Sequence, residues 1–194
     1  MNFLAHIYLS GDDPGITVGN FMADSIRGRK YLNYPEPIKN GILLHRAIDT
    51  YTDKHHVFRQ STKRLHANYS HYSGVIVDIY YDHFLAANWS RYSEIPLEEF
   101  AGSFYRLLQE YEDWLTSQAK RMMPYMIADD WLSSYAHLEG IEKVFQGLNR
   151  RTAYKSGMNH ATEDLRAHYD LFEQEFFEFF EDLQAYSQEF RKNL

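Results

Sequence analysis

Apolar residues recur at helical spacing through almost the whole chain, and the alternation a half-buried strand needs is hard to find over more than four residues. The pattern predicts an all-α fold. A first helix is expected from Asn2 to Leu9, closed by Ser10 and Gly11. A second starts at Asp13, with Pro14 in its first turn, and runs to Gly28. After Pro35 and Pro37 a third helix carries IKNGILLHRAIDTYTDKH and continues or kinks toward Leu65, and a fourth spans Tyr72 to Trp89. Beyond Pro96, LEEFAGSFYRLLQEYEDWL opens with Glu98 and Glu99, which suit the positive end of a helix. Shorter helices follow from Met122 to Tyr135 and from Leu138 to Arg150. A long C-terminal amphipathic helix closes the chain, with Leu165, Tyr169, Phe172, Phe176, Phe179, Leu183, Tyr186 and Phe190 at 4-3 spacing. That stripe reads either as an aromatic core face or as a homodimer seam widened by Phe177 and Phe180.

Two of the predicted helices carry polar groups where a buried face would be. At about 100° per residue, His45 and Asp49 project from one face, with Asp53 and His56 continuing the stripe after some drift. Asp78 and Asp82 repeat the spacing on the next helix, flanked by Val77, Ile79, Phe84 and Leu85. Like charges so placed cost roughly 0.2–0.5 kcal/mol even on an exposed helix, and more when buried. A cation removes that penalty, although His45 with Asp49, taken singly, also reads as a solvated ion pair.

Composition narrows the chemistry. The 194 residues are 44% hydrophobic and 16% aromatic, enough for one core, and nothing resembles a linker, so one domain spanning 1–194 is expected. There is no cysteine, so a metal must be held by His, Asp or Glu, which suits Mn, Mg, Fe or Zn. No basic residue precedes the short apolar run near the start and no long apolar stretch follows, which predicts a cytoplasmic protein with no membrane span. A net charge of −7 argues against nucleic-acid binding. Arg27, Arg29 and Lys30 form a basic cluster that reads as a solvated turn or as a binding rim.

Four segments concentrate the candidate chemistry: NFLAH with His6, GNFMADSIRG with Asn20 and Asp24, GILLHRAIDTYTDKH with His45, Asp49 and Asp53, and DIYYDHFLAANW with Asp78, Asp82 and His83. In this order they resemble the acyl-carrier-protein phosphodiesterase family, whose members are distorted relatives of HD-domain phosphohydrolases. The resemblance implies a helical fold and a divalent cation, commonly manganese. It also implies hydrolysis of the phosphodiester joining 4′-phosphopantetheine to a serine of the acyl carrier protein, an acidic partner. In ordinary HD domains the central His is followed at once by Asp, whereas here Arg46 follows His45, so the ligand role passes to Asp49 on geometry.

On this basis His6, Asp24, His45, Asp49 and Asp82 are expected to hold one or two cations, with Asp78 as a ligand or an orienting group. His83, ahead of His55, is the expected proton donor to the leaving serine. Arg46 or Arg27 would bind phosphoryl oxygens, Asp53 ranks above the His55–His56 doublet as a catalytic candidate, and Arg27, Arg29 and Lys30 would meet the carrier protein. Two rival readings stand beside this one. An HD-like phosphohydrolase acting on a nucleotide or other small phosphodiester would need a base pocket, which Tyr51, Tyr80 or Tyr81 could supply. A non-catalytic helical interaction protein would use the C-terminal heptads.

Overall fold

The computed structural model describes all residues from Met1 to Leu194, and they form α-helices joined by short 3-10 turns, with no strand. The helices are α1 (Phe3–Leu9), α2 (Pro14–Met22), α3 (Glu36–Lys54), α4 (His56–Tyr69), α5 (Ser73–Ala87), α6 (Leu97–Glu110), α7 (Ser117–Ala128), α8 (Trp131–Ser134), α9 (Leu138–Arg151), α10 (Ala161–Ala167) and α11 (Tyr169–Lys192). The all-α class is as the periodicity predicts. Asp13 starts α2 as expected, its carboxylate accepting from the Ile16 N–H ahead of Pro14.

α2 ends six residues earlier than Gly28. A single 3-10 turn, Ala23–Ser25, follows it, and Ile26 is extended and buried. The carbonyls of Ile26 and Gly28 are taken instead by the Arg46 guanidinium, at 2.9 Å each, so no further helical turn is needed to satisfy them. The third predicted helix breaks where the alternatives were to continue or to kink. His55 leaves helical geometry at ψ 133°, its N–H closing α3 onto Tyr51 and Thr52, and α4 starts again at His56.

α2 and α3 are in backbone contact. A Cβ on Gly19 would meet the Ile38 carbonyl oxygen at 2.2 Å, and one on Gly41 would meet that of Ile16 at 2.1 Å. Only glycine allows this approach. It carries Asn20 of α2 onto the face of α3 that bears His45.

One continuous hydrophobic core runs through the molecule, and α5 lies inside it, with Ile76, Val77, Tyr80, Tyr81, Phe84 and Leu85 all fully enclosed. The aromatic stripe of α11 packs against it: Phe176 lies 5.7 Å from Tyr81 and Phe179 5.2 Å, centroid to centroid. Phe172, Phe176, Phe179, Phe180 and Leu183 are all at 0% exposure. These five side chains are therefore spent within the chain and are not available to the homodimer seam that was the stripe's other reading. Nor is the C-terminal helix continuous, because it breaks at His168 and leaves Leu165 in α10. No helix is long and apolar enough to cross a membrane.

Candidate metal centre

Four neighbouring elements deliver one cluster. α1 supplies His6, α2 supplies Asn20, the turn after α2 supplies Asp24, and α3 supplies His45 and Asp49 at i and i+4. The two imidazoles stack with centroids 4.0 Å apart and planes 20° from parallel. His6 Nε2 lies 3.3 Å from Asp49 Oδ1, and His45 Nε2 lies 3.1 Å from both Asp49 Oδ2 and Asp24 Oδ1. Ligand atoms of His6, His45 and Asp49 all fall within 4.8 Å of one another, so one ion could touch all three.

Asn20 decides which nitrogens face that ion. Its side-chain nitrogen donates to the His6 carbonyl at 2.8 Å and to Ser10 Oγ at 2.9 Å, which leaves Oδ1 as the acceptor. Nδ1 of His6 donates to Oδ1 at 2.8 Å, and Nδ1 of His45 donates to the Asn20 carbonyl at 2.9 Å. Both Nδ1 atoms thus carry hydrogen, and both Nε2 atoms turn toward the carboxylates. For His6 the outcome is a buried Nε2 with no hydrogen-bond donor to face, opposed by an Asp49 oxygen. Two electron-rich atoms directed at one point suit a cation.

Electrostatics agree with this geometry. Burial, reinforced by the charge on His45, pushes His6 down to about 4. Burial also opposes charge on His45, but hydrogen bonds to Asp24 and Asp49 outweigh it and raise that ring to about 9. Burial likewise works against an ionised Asp49, yet the hydrogen bond and charge of His45 hold its carboxyl below the usual range. The hydrogen bond from His45 lowers Asp24 as well. Left to themselves, these groups hold one imidazolium proton, on His45, in the place a cation would occupy.

Asp24, His45 and Asp49 of the cluster form one wall of a cleft of about 230 Å³, lined also by Met1, Thr52, Asp53 and Asp78. Asp78 is thus close by, but its Oδ1 is bound to the Met1 amino group at 2.8 Å. Thr52 brings a buried hydroxyl with no hydrogen-bond partner, and nothing in the pattern of the sequence singles it out.

Other expected residues stand elsewhere. Asp82 is fully buried, and its two oxygens accept from the Leu4 and Ala5 N–H groups at 2.7 and 3.2 Å. It caps the start of α1 and is corrected from ligand to helix acceptor, since neither oxygen is directed at the cluster. Burial raises its carboxyl to about 7 against the pull of the Met1 ammonium and of those two amides. His83 is one position round α5 from Asp82, and its nitrogens meet the Tyr135 carbonyl at 2.7 Å and the Tyr169 hydroxyl at 2.9 Å. It does not line the cleft, so the proton-donor expectation is corrected too. His55, the second choice, pairs with Asp182.

Arg46 is committed to the carbonyls of the loop after α2 and lies 5.0 Å over the Tyr31 ring, so it holds that loop and does not face the cleft. Arg27, Arg29 and Lys30 are exposed on that loop and line no part of the cleft. Asn20 was visible in GNFMAD as a polar residue among apolar neighbours, yet the sequence assigned it no role, because that role depends on two rings from other helices.

Comparison with known proteins adds the family. Residues 1–183 match the family described as acyl carrier protein phosphodiesterase. The chain is similar to the acyl carrier protein phosphodiesterases of Salmonella agona (strain SL483) and Salmonella newport (strain SL254). Each is 29% identical over 186 residues, covering 95% of this chain and 96% of the relative. No solved structure matches. With four motifs in order and a match over nearly its full length, the chain belongs to the acyl carrier protein phosphodiesterase family.

Proposed function

We propose that this protein is a metal-dependent phosphodiesterase that releases 4′-phosphopantetheine from the serine of holo acyl carrier protein, leaving the apo form. The observation that carries the metal-dependent part is the pair of Nε2 atoms of His6 and His45, turned by Asn20 onto the Asp49 carboxylate. The carrier-protein substrate rests on the family and on the names of the relatives.

His6, His45 and Asp49 would hold the ion, Asp24 is placed to complete the set, and Mn2+ or another cation suited to nitrogen and oxygen ligands fits these donors. A divalent cation there supplies an acidified water and neutralises charge building on the phosphoryl oxygens. Asn20 keeps both rings in the ligating tautomer. With His83 remote, proton delivery to the serine oxygen falls to carboxyls on the cleft wall, Asp53 or Asp78. The unpartnered Thr52 hydroxyl is free to donate to a phosphoryl oxygen.

The nucleotide reading loses its base pocket. Tyr80 and Tyr81 are sealed in the core, bonded to Ala161 and Ser61, and Tyr51 stacks on Tyr186 at 4.3 Å. The test is to incubate the purified protein with holo carrier protein and Mn2+ and to weigh the carrier protein by mass spectrometry. Loss of the phosphopantetheine mass, prevented by chelator, is expected; an unchanged mass sinks the substrate, and chelator-resistant loss sinks the metal.

A further inference from the structure

Between Lys54 and Val77 the chain has no Asp or Glu, although the protein as a whole carries a net charge of −7. That segment contains the whole of α4 and the first turn of α5. Its cations are used unequally. Arg64 is tied to Glu175 by two bonds of 2.8 Å across to α11. Arg59, Lys63 and His66 form no ion pair and stand exposed one turn apart on a single face.

With His71 they line a groove of about 680 Å³. One of its walls is Asp53, which also lines the metal cleft. The Arg59 Nε donates to the Asp53 carbonyl at 3.0 Å, so the guanidinium is fixed at the junction of groove and cleft.

We propose that the acidic surface of the carrier protein docks on this α4 groove, and that Asp53 marks the threshold over which its phosphodiester arm enters the cleft. The proposal rests on the functional reading above. A locally positive face on a negative protein is what an acidic partner needs in order to approach and to be oriented. A nucleic acid is disfavoured because the groove has no Tyr or Trp and its one Phe, Phe58, is 4% exposed and offers no face on which a base could stack. The Arg27, Arg29 and Lys30 loop is the weaker choice, since it lines neither groove nor cleft.

The test compares R59E/K63E with R27E/R29E on two substrates, holo carrier protein and bis(p-nitrophenyl) phosphate, at low and high ionic strength. For R59E/K63E, kcat/KM on the carrier protein should fall at least about tenfold, mainly through KM, and lose its salt dependence. Hydrolysis of the small diester should be unchanged, and R27E/R29E should remain within about twofold of wild type on both substrates. A second variant, K63E/H66E, leaves the Arg59 to Asp53 bond intact and should behave like the first. Wild-type kcat/KM on the carrier protein in both α4 variants overturns the proposal, as do equal losses on both substrates. Tighter binding of single-stranded RNA than of carrier protein also overturns it, in favour of nucleic acid. If the wild type cleaves the small diester but neither binds nor cleaves carrier protein, the functional reading falls and takes the proposal with it. Cleavage by the wild type with unaffected α4 variants overturns the docking surface alone.

Discussion

His6 and His45 stack at 4.0 Å from two different helices, and each turns its Nδ1 onto Asn20. Positive charge on both rings is disfavoured at this distance, and the carboxylates place the one imidazolium on His45. The arrangement suits ligation: the same asparagine that fixes the tautomers also joins α1 to α2 through the His6 carbonyl and Ser10.

Asn20→Ala should therefore weaken Mn2+ binding by about 10–100-fold, the usual effect of losing an orienting partner of ligating histidines. Titration calorimetry on the folded variant checks this. Wild-type affinity would mean that the rings orient without Asn20.

Asp49→Ala and His6→Ala should remove turnover by more than the roughly 100-fold assigned to orienting partners, with helical circular dichroism unchanged. Full activity of either variant in the presence of chelator would rule out the metal site.

Asp82→Ala should act on stability. Loss of the acceptor at the start of α1 is expected to cost about 1–2 kcal/mol, read as a lower midpoint in denaturant. Unchanged stability with abolished metal binding would restore Asp82 to the ligands.

Proton linkage gives a pH prediction. The His45 pKa is raised from 6.5 to about 9, so its pairing with Asp24 and Asp49 stabilises the metal-stripped protein fully below pH 6.5 and is lost as pH rises toward 9. His6, lowered to about 4, costs stability as pH falls from 6.5 toward 4. Mn2+ must displace the His45 proton, so binding near pH 7.5 should release about one proton, measurable by calorimetry in buffers of different ionisation enthalpy. His45→Gln should flatten the melting temperature between pH 6.5 and 9. No proton release would place the ion elsewhere.

Phe176→Ala should cost about 3–5 kcal/mol, because its ring is fully enclosed between α5 and α11. A loss near zero in a thermal melt, with a change of oligomeric state, would return the stripe to an intermolecular role.

The sequence by itself determined the all-α class, the capped start of α2, and the presence of His45 and Asp49 at i and i+4 on one helix face, because helical period and local capping act within a few residues. It also picked out segments that meet in the fold, since His6 of NFLAH, Asp24 of GNFMAD and the His45 helix share one cluster. Asp78 and Asp82 look equivalent in that reading, yet one meets the Met1 amine and the other two α1 amides. Tertiary structure alone decided this, as it decided that Arg46 holds a loop, that His83 sits against Tyr135 and Tyr169, and that Asn20 orients two histidines. The reason is distance along the chain. A side chain's partner comes from whichever helix packs against it, and that depends on contacts such as Gly19 against Ile38, which no local pattern encodes.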